Sequence, residues 1–590
     1  MSMSWSYRAP LRDMRFVMGD VLEAGAAWAS CPAHADLDLD TASNVLEQAA
    51  RFASERLLPL NGPGDSAGCQ LQADGRVMTP PGFAAAYQAF VEAGWPALAA
   101  EPQWGGQGLP LLVDGAMREM LDACNHAWTM YPDLLHGAVE TIAAHGSAEL
   151  QQRYLHKLVS GEWLAAMALT EPQAGSDLGL VRTRAERQAD GTLRVSGSKI
   201  FISGGAHDLT PNVIHLVLCR LPDAQAGTRG LSLALVPQVL ADGRRNAMHC
   251  EGIEKKMGIK GSATCTMRYD GATGWLVGEP GRGLAAMFVM MNSARLHVAL
   301  QGLGHAEMAA QNALRYAQER HQLRAPRRPE GTTAAADPIA LHPAMRHALL
   351  RLQAQVEAGR VIAGRAALAL DLAAHHPDVS TRTAAHARAG LLTPLLKAQL
   401  TRLGFEGASS ALQVFGGYGY VHDYGIEQSV RDARIAMIYE GTNEIQAIDL
   451  AQRKLLGDRG AAFEAMLDEC RAEAQLCGRT PDLHAFASAL AAQCDAAATG
   501  VAALLQRHDA EAVLSLAQDA MDGLWWLLNA WAFAVSARAA QRVRSRDAVW
   551  ADAKLARMRY GVEWLLPQAT LHWNRISGGD LALPLLESAC

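Results

Sequence analysis

Apolar residues recur three and four positions apart from about Thr41 to Gly161, the spacing that turns one face of an α-helix toward a core. TASNVLEQAARFASERLL is such a run, with Thr41 or Ser43 placed to cap its start and Pro59 to stop it. From about Leu164 to Gly283 the period changes. LRVSGSKIFIS, NVIHLVLCRL, GLSLALVPQ and ATCTMRYDGATGWLVG are short, rich in β-branched residues and divided by Gly, Asp, Asn and Pro, which predicts a small β domain. Helical spacing returns near Gly283 and runs to about Gly457, interrupted by RAPRRPEGTTAAADP, which reads as a surface loop. Amphipathic Ala- and Leu-rich segments follow, with turn signals at GRTPD and RISGGD. The pattern predicts a mainly α chain with a central β domain: an N-terminal extension at 1–40, helical domain at 41–163, middle β domain at 164–283, helical bundle at 284–457 and additional helical domain at 458–590.

Length agrees with that division, since 590 residues exceed what one core can organise. Half the residues are hydrophobic and the net charge is -7, which suits a soluble enzyme and argues against a protein that coats nucleic acid. The ten cysteines stand singly, without a CxxC pair or a zinc-site spacing, so reduced thiols in a cytoplasm are expected. The opening MSMSWSYRAPLRDMRF leads into an apolar stretch broken by Asp20 and Glu23, a poor fit to a signal peptide. LWWLLNAWAFAV, from Leu524, is shorter than the ~20 residues that cross a bilayer. It reads as a buried helix or as a membrane-surface or partner-binding patch, and stable membrane insertion is not expected.

Candidate chemistry concentrates in four segments. YEGTNEIQ, Tyr439 to Gln446, follows the glycine-rich QVFGGYGY and sets the Glu440 carboxylate beside a glycine, a hydroxyl and an amide. A glutamate positioned by a tight turn can act as a general base, while a lone one is equally a solvated charge. MALTEPQAGSDLG, from Met167, offers Gly175, Ser176 and backbone amides to a phosphate and Thr170 to a polar ring, or is an ordinary capped loop. In GSKIFISGGAHD, alternation places Ile200 and Ile202 on one face and Phe201 and Ser203 on the other. That second face is a wall and hydroxyl for a flat ring, or a strand whose Phe joins the core. YAQERHQLR ends a helix at Arg320, which could grip a phosphate or stand solvated. No GxGxxG follows a strand and opens a helix, and the sequence has no Walker loop, HExxH or GxSxG elbow.

Taken in order, LTEPQAGSD, GSKIFISGG, the Arg320 segment, QVFGGYGY and RDARIAMIYEGTNEIQ resemble the acyl-CoA dehydrogenase family over roughly residues 40 to 457. The opening YRAPLRDMRF and the C-terminal extension resemble its larger bacterial branch, whose members include methylthiopropanoyl-CoA dehydrogenases. The resemblance implies a helical domain, a β-barrel or sandwich and a four-helix bundle, with the extra helical domain appended. It also implies FAD as cofactor and an acyl-CoA thioester as substrate. Glu440 matches the base that removes a proton beside the thioester carbonyl while the next carbon gives a hydride to flavin N5, leaving a trans-2-enoyl-CoA. The thioester oxygen would be held by the Glu440 amide and a flavin ribityl hydroxyl, and the base is expected in an apolar pocket.

Met167, Leu169, Thr170 and Ser176 match the stretch that contacts the flavin and its phosphates, and Phe201 and Ser203 match an aromatic and a hydroxyl beside the isoalloxazine. Arg320, Gln322, Gln413 and Gly417 match positions that complete the adenylate end from a neighbouring subunit, which implies a homo-oligomer, dimer or tetramer. Thr442 and Glu444 match positions near the diphosphate or adenosine, Glu444 standing where relatives often carry Gln. On the substrate side the resemblance points to Ser176, Asn292, Arg295, Tyr439 and Gly441, with Arg295 near CoA and Asn292 where several relatives have Asp. Ala294 occupies the position from which some family members draw their base, and it cannot serve.

Electron-transfer flavoprotein is the expected acceptor. An acyl-CoA oxidase passing electrons to oxygen, and a DNA-binding flavoprotein of the same fold, are the rival readings. Against the second, residues from Asp458 onward hold 12 Lys and Arg and 16 Asp and Glu, although RAAQRVRSR from Arg538 is a local basic stripe.

Overall fold

In the computed structural model, which describes residues 5–578 and 583, the middle section holds seven strands, four of them on the β-branched runs: β1 Leu164–Ala168, β2 Arg184–Arg187, β3 Leu193–Ser203, β4 Val213–Arg220, β5 Leu231–Pro237, β6 Met248–Ile253 and β7 Thr264–Val277. The end of the RISGGD signal and Cys590 lie outside the described residues. Antiparallel pairing runs β2–β3–β7–β5–β4, and a parallel contact of β4 with β2, Arg220 opposite Arg184, closes the ring into a barrel. β1 lies parallel to β4, and β6 pairs with β7. β5 is buried along its whole length, the reason its sequence is continuously apolar.

The barrel belongs to one of two compact units, built from Ala49–Pro110 and Met120–His297. In the same unit, helices Phe83–Glu92, Asp133–His145 and Ala148–Val159 precede the barrel. Tyr131 joins the two parts, its hydroxyl donating to Gly261 O at 3.0 Å and accepting from Ala263 N at 2.8 Å.

The expected ends of the first long helix are both displaced. Asp38 is the cap in place of Thr41 or Ser43, its Oδ1 accepting from Thr41 N at 2.6 Å. Pro59 does not stop the run. Helix Leu39–Phe52 widens into a π-turn at Ala53–Leu57 and resumes at Leu58–Ala67, with Pro59 in a first turn that has no use for its missing N–H.

The other unit comprises the residues up to Gln48, Leu111–Glu119 and the chain from Val298 onward. Its frame is three long helices, α1 Gly283–Glu319 (from Val298), α2 Pro343–His375 and α3 Val379–Phe415. α1 and α3 cross backbone to backbone: a Cβ on Gly302 would stand 2.3 Å from Leu400 O, and one on Gly404 2.6 Å from Gly302 O. The short helix α4 Asn443–Asp449 packs on α3. In the C-terminal extension, α5 Ala517–Val543 packs against α2 and α4 and buries every residue of the LWWLLNAWAFAV run. That burial settles the run as a core helix. α6 Ala548–Tyr560 follows and also packs on α2.

A buried ionic cluster joins five stretches of this unit. Arg360 on α2, 5% exposed, donates to Glu119 at 3.0 and 3.1 Å, to Glu307 at 2.5 Å and to Asp13 at 2.5 Å. Lys554 on α6, 1% exposed, pairs with the same Asp13 and with Glu357 at 2.9 Å. Burial pushes the Asp13 carboxyl upward, but Lys554 and Arg360 outweigh it and hold the group below its usual range. Arg360→Met should leave buried carboxylates without their counterion and cost about 3–5 kcal/mol. Urea unfolding checks this, and a midpoint and slope equal to wild type would deny the cluster a role in stability.

Candidate functional site

The Glu440 turn is held from beneath by α3 and α4. Glu440 and Gly441 take consecutive left-handed conformations, with φ of 56° and 84°. For glutamate this conformation costs roughly 1–2 kcal/mol, so neighbouring bonds must fix it. They do. Gln446 Nε2 donates to Glu440 O at 3.0 Å, and Lys397 Nζ donates to Gly441 O at 2.6 Å and to Asn443 Oδ1 at 3.2 Å. Asn443 in turn donates to Ala398 O at 3.0 Å. Position 441 favours glycine, because its φ of 84° is left-handed and a Cβ there would press on Gln446 Nε2 at 2.8 Å. Thr442 caps α4, its hydroxyl accepting from Ile445 N at 3.3 Å. Glu440 Oε2 is shut off from solvent, and Tyr439 donates its hydroxyl hydrogen to the buried amide of Gln301. Glu444 is exposed on α4, its carboxyl lowered by its own backbone amide and by the Thr442 hydroxyl.

Arg320, Gln322 and Gly417 meet at an open cavity of ≈ 550 Å³, with Tyr316, Gly416 and Tyr418 also on its wall. The Arg320 guanidinium carbon lies 5.5 Å from the centre of the Tyr418 ring. Gln413 lies outside the cavity's lining, exposed on the last turn of α3, and its carbonyl accepts the Gly416 N–H.

The barrel unit carries the other group. Thr170 accepts from Ile200 N at 2.9 Å through its carbonyl, which ties the LTEPQAGSD loop to β3. Beneath the loop, Lys199 is fully buried and donates to Leu169 O at 2.8 Å and Glu171 Oε1 at 2.9 Å. Glu171 also accepts from Arg182 N, Thr183 N and the Thr183 hydroxyl at 2.7, 2.9 and 2.7 Å. Burial raises the Glu171 carboxyl, but Lys199 and Thr183 outweigh it and hold the group at about 2. Ala174 and Val181 anchor the loop in a small apolar core with Leu218 and Leu231, leaving Gly175 and Ser176 exposed at its tip. Met167 is buried on β1, and Leu169 and Thr170 are half-buried.

β3 breaks its expected alternation. The register against β7 shifts between Lys199 and Ile202, and Phe201 has a φ of 59°. The bulge turns Phe201 outward, 59% exposed, so it is no core residue, while Ile202 is buried and Ser203 half-buried. In the same unit Arg295 is 6% exposed and donates to Asn292 at 3.4 Å, one turn earlier on α1. Ala294 is buried beside it.

Lys199, Glu171, Lys397, Asn443 and Gln446 were not anticipated from the sequence. The signal was a polar residue at a core phase, inside a motif for all but Lys397, a lysine between Ser198 and Ile200 above all.

Models of the acyl-CoA dehydrogenase N-terminal, middle and C-terminal domains match residues 40–162, 166–272 and 281–455. The chain is 43% identical over 463 residues to a 3-methylmercaptopropionyl-CoA dehydrogenase of Ruegeria pomeroyi, 77% of each chain. Among solved structures, butyryl-CoA dehydrogenase of Megasphaera elsdenii is 26% identical with a TM-score of 0.57, covering 71% of this chain and all of that one. An acyl-CoA dehydrogenase of Bacillus anthracis complexed with FAD is 20% identical and shares the fold with a TM-score of 0.73, over 92% of this chain and 89% of that one. Fold and site therefore define a flavoprotein oxidoreductase. The chain belongs to the acyl-CoA dehydrogenase family.

The residues present fit FAD. An aromatic face uncovered at the β3 bulge and an exposed glycine-serine loop tip, on a loop tied to β3 through Thr170, suit a flat ring and its polar tail. A cavity lined by a guanidinium, an amide side chain and two glycines suits an adenylate and its phosphates.

The depressed Glu171 carboxyl gives a pH test. Its folded value of about 2 against an ordinary 4.5 means its stabilisation is in full above 4.5 and is lost as pH falls toward 2. The stability advantage of wild type over Glu171→Gln should shrink by about 2 kcal/mol from about pH 5 to about pH 3. A pH-independent difference in urea midpoints would contradict the Lys199 pairing.

Proposed function

We propose that the chain is an FAD-dependent acyl-CoA dehydrogenase with Glu440 as its base. The observation that carries this reading is the Glu440 turn, a carboxylate with one oxygen shut off from water on a backbone pinned from two helices. Glu440 takes a proton from the carbon next to the thioester carbonyl, and exclusion of water keeps solvent from competing for that proton. The Glu440 backbone amide donates to the thioester oxygen, where negative charge gathers as the proton leaves. Arg295 lies toward the CoA portion, and Ser176, Asn292, Tyr439 and Gly441 are the further substrate contacts. The product is a trans-2-enoyl-CoA.

Bound FAD supplies the acceptor for the hydride that leaves the neighbouring carbon. Met167, Leu169, Thr170, Ser176, Phe201 and Ser203 would hold its ring and phosphates, with Thr442 and Glu444 toward the diphosphate or adenosine. Arg320, Gln322, Gln413 and Gly417 would hold the adenylate of a neighbouring copy, which makes the working unit a homo-oligomer. Electron-transfer flavoprotein is the proposed acceptor. The names of the relatives direct the first substrates to short acyl thioesters, 3-methylthiopropanoyl-CoA and butyryl-CoA.

A nucleic-acid role finds no support in the RAAQRVRSR stripe. Arg538 pairs with Glu473 at 2.6 Å, Arg542 with Glu23 at 3.3 Å and Arg544 with Asp552 at 2.8 Å, so these cations are engaged within the chain.

Glu440→Gln should stay yellow and bind the thioester, while anaerobic bleaching by substrate slows about 10²–10⁴-fold. Bleaching at the wild-type rate would refute the base. Reoxidation of the bleached wild type by electron-transfer flavoprotein and not by air supports the dehydrogenase; rapid reoxidation by air would make it an oxidase.

A further inference from the structure

We propose that Lys397 is a positioning residue for the base, acting on Glu440 through the Gly441 carbonyl; the inference rests on Glu440 being the base. Its ammonium is fully buried on α3. It donates to Gly441 O at 2.6 Å and to Asn443 Oδ1 at 3.2 Å, one residue and three residues beyond Glu440. A buried ammonium needs acceptors on its donor directions, and a backbone carbonyl that meets this need is fixed in orientation. The peptide plane it fixes is Gly441–Thr442, while Gln446 fixes the plane before it through Glu440 O. Two adjacent planes are thus set by two side chains from different helices, on a turn whose backbone is left-handed at both residues.

The lysine itself stands on rigid ground. Thr401, one turn along α3, donates to Lys397 O at 2.7 Å and lies 3.3 Å from Asn443 Oδ1. Gly404, a turn further, is where α3 meets α1 backbone to backbone. Lys397, Thr401 and Gly404 follow the i, i+4, i+7 spacing of one helix face. The helix crossing, the ammonium and the base turn therefore form one continuous support. A base displaced by an ångström loses about 10²-fold in rate, and holding Glu440 against that displacement is the role inferred for Lys397.

The test compares Lys397→Met, Lys397→Gln and Glu440→Gln as FAD-loaded holoenzymes, with butyryl-CoA and 3-methylthiopropanoyl-CoA as probes. The readouts are kcat and KM, FAD content, and uptake of deuterium from heavy water at the carbon beside the thioester. Lys397→Met should retain FAD and keep KM within about threefold while kcat and deuterium uptake both fall about 10²-fold. Lys397→Gln, which keeps a donor for Gly441 O, should recover at least a tenth of the wild-type rate. A purely structural lysine would instead lower FAD content and thermal stability with kcat per flavin unchanged, and that result would overturn the proposal. So would failure of both variants to yield soluble, flavin-loaded protein, which would assign the lysine to the bundle. If Glu440→Gln is inactive while Lys397→Met equals wild type, only the positioning role falls; if Glu440→Gln exchanges at the wild-type rate, the base assignment falls and this proposal with it.

Discussion

A cation taken out of water must be met by acceptors, and that constraint shapes the surfaces this chain presents to its ligands. Lys199, Lys397 and Lys554 are at most 1% exposed and Arg360 is 5% exposed. The first two stand under stretches of backbone that no repeating pattern holds, and the last two where helices from distant parts of the chain meet. Lys199 lies under the LTEPQAGSD loop, Lys397 under the Glu440 turn, and Lys554 and Arg360 where the N-terminal segment meets the helices. Apolar packing brings such segments close but is non-directional. A hydrogen bond from a buried ammonium to one carbonyl sets the orientation of a peptide plane, which is what a loop offering its amides to a ligand requires.

The same constraint ties the ends of the chain together. Asp13 is shared by Arg360 and Lys554, Arg12 pairs with Asp547, and Arg542 with Glu23. An N-terminal extension and a C-terminal domain more than 500 residues apart are thereby one layer over α2. Charge pairing over that separation leaves no local period, so the sequence separated what the fold unites.

Where periodicity carried information, it was legible. GLSLALVPQ reads as a strand, and its continuous apolarity has its reason in the burial of every residue of β5. β1 and β2 escaped notice for a physical reason: LAAMA lacks β-branched residues, and RAER exposes three of its four side chains. At the site, motif order located the segments, but alternation placed Phe201 by a two-residue period that the bulge interrupts, and a lysine inside a strand ordinarily means surface. What was missing was the long-range Lys199–Glu171 pair, which decides both the burial of the lysine and the path of the loop.

Why the base proposed at Glu440 should sit on a strained turn and not on α1 follows from what a residue can offer at once. At position 294 a side chain would project from a helix, whose geometry fixes it without added cost. Its N–H, however, would be committed to the carbonyl four residues earlier. On a left-handed turn that commitment is not imposed, so a single residue can present both a proton acceptor and an amide for the charge the proton leaves behind. The conformation costs roughly 1–2 kcal/mol at Glu440. The hydrogen bonds from Lys397 to Gly441 and from Gln446 to Glu440 offset that cost, and they let a loop residue hold its geometry as closely as a helical one.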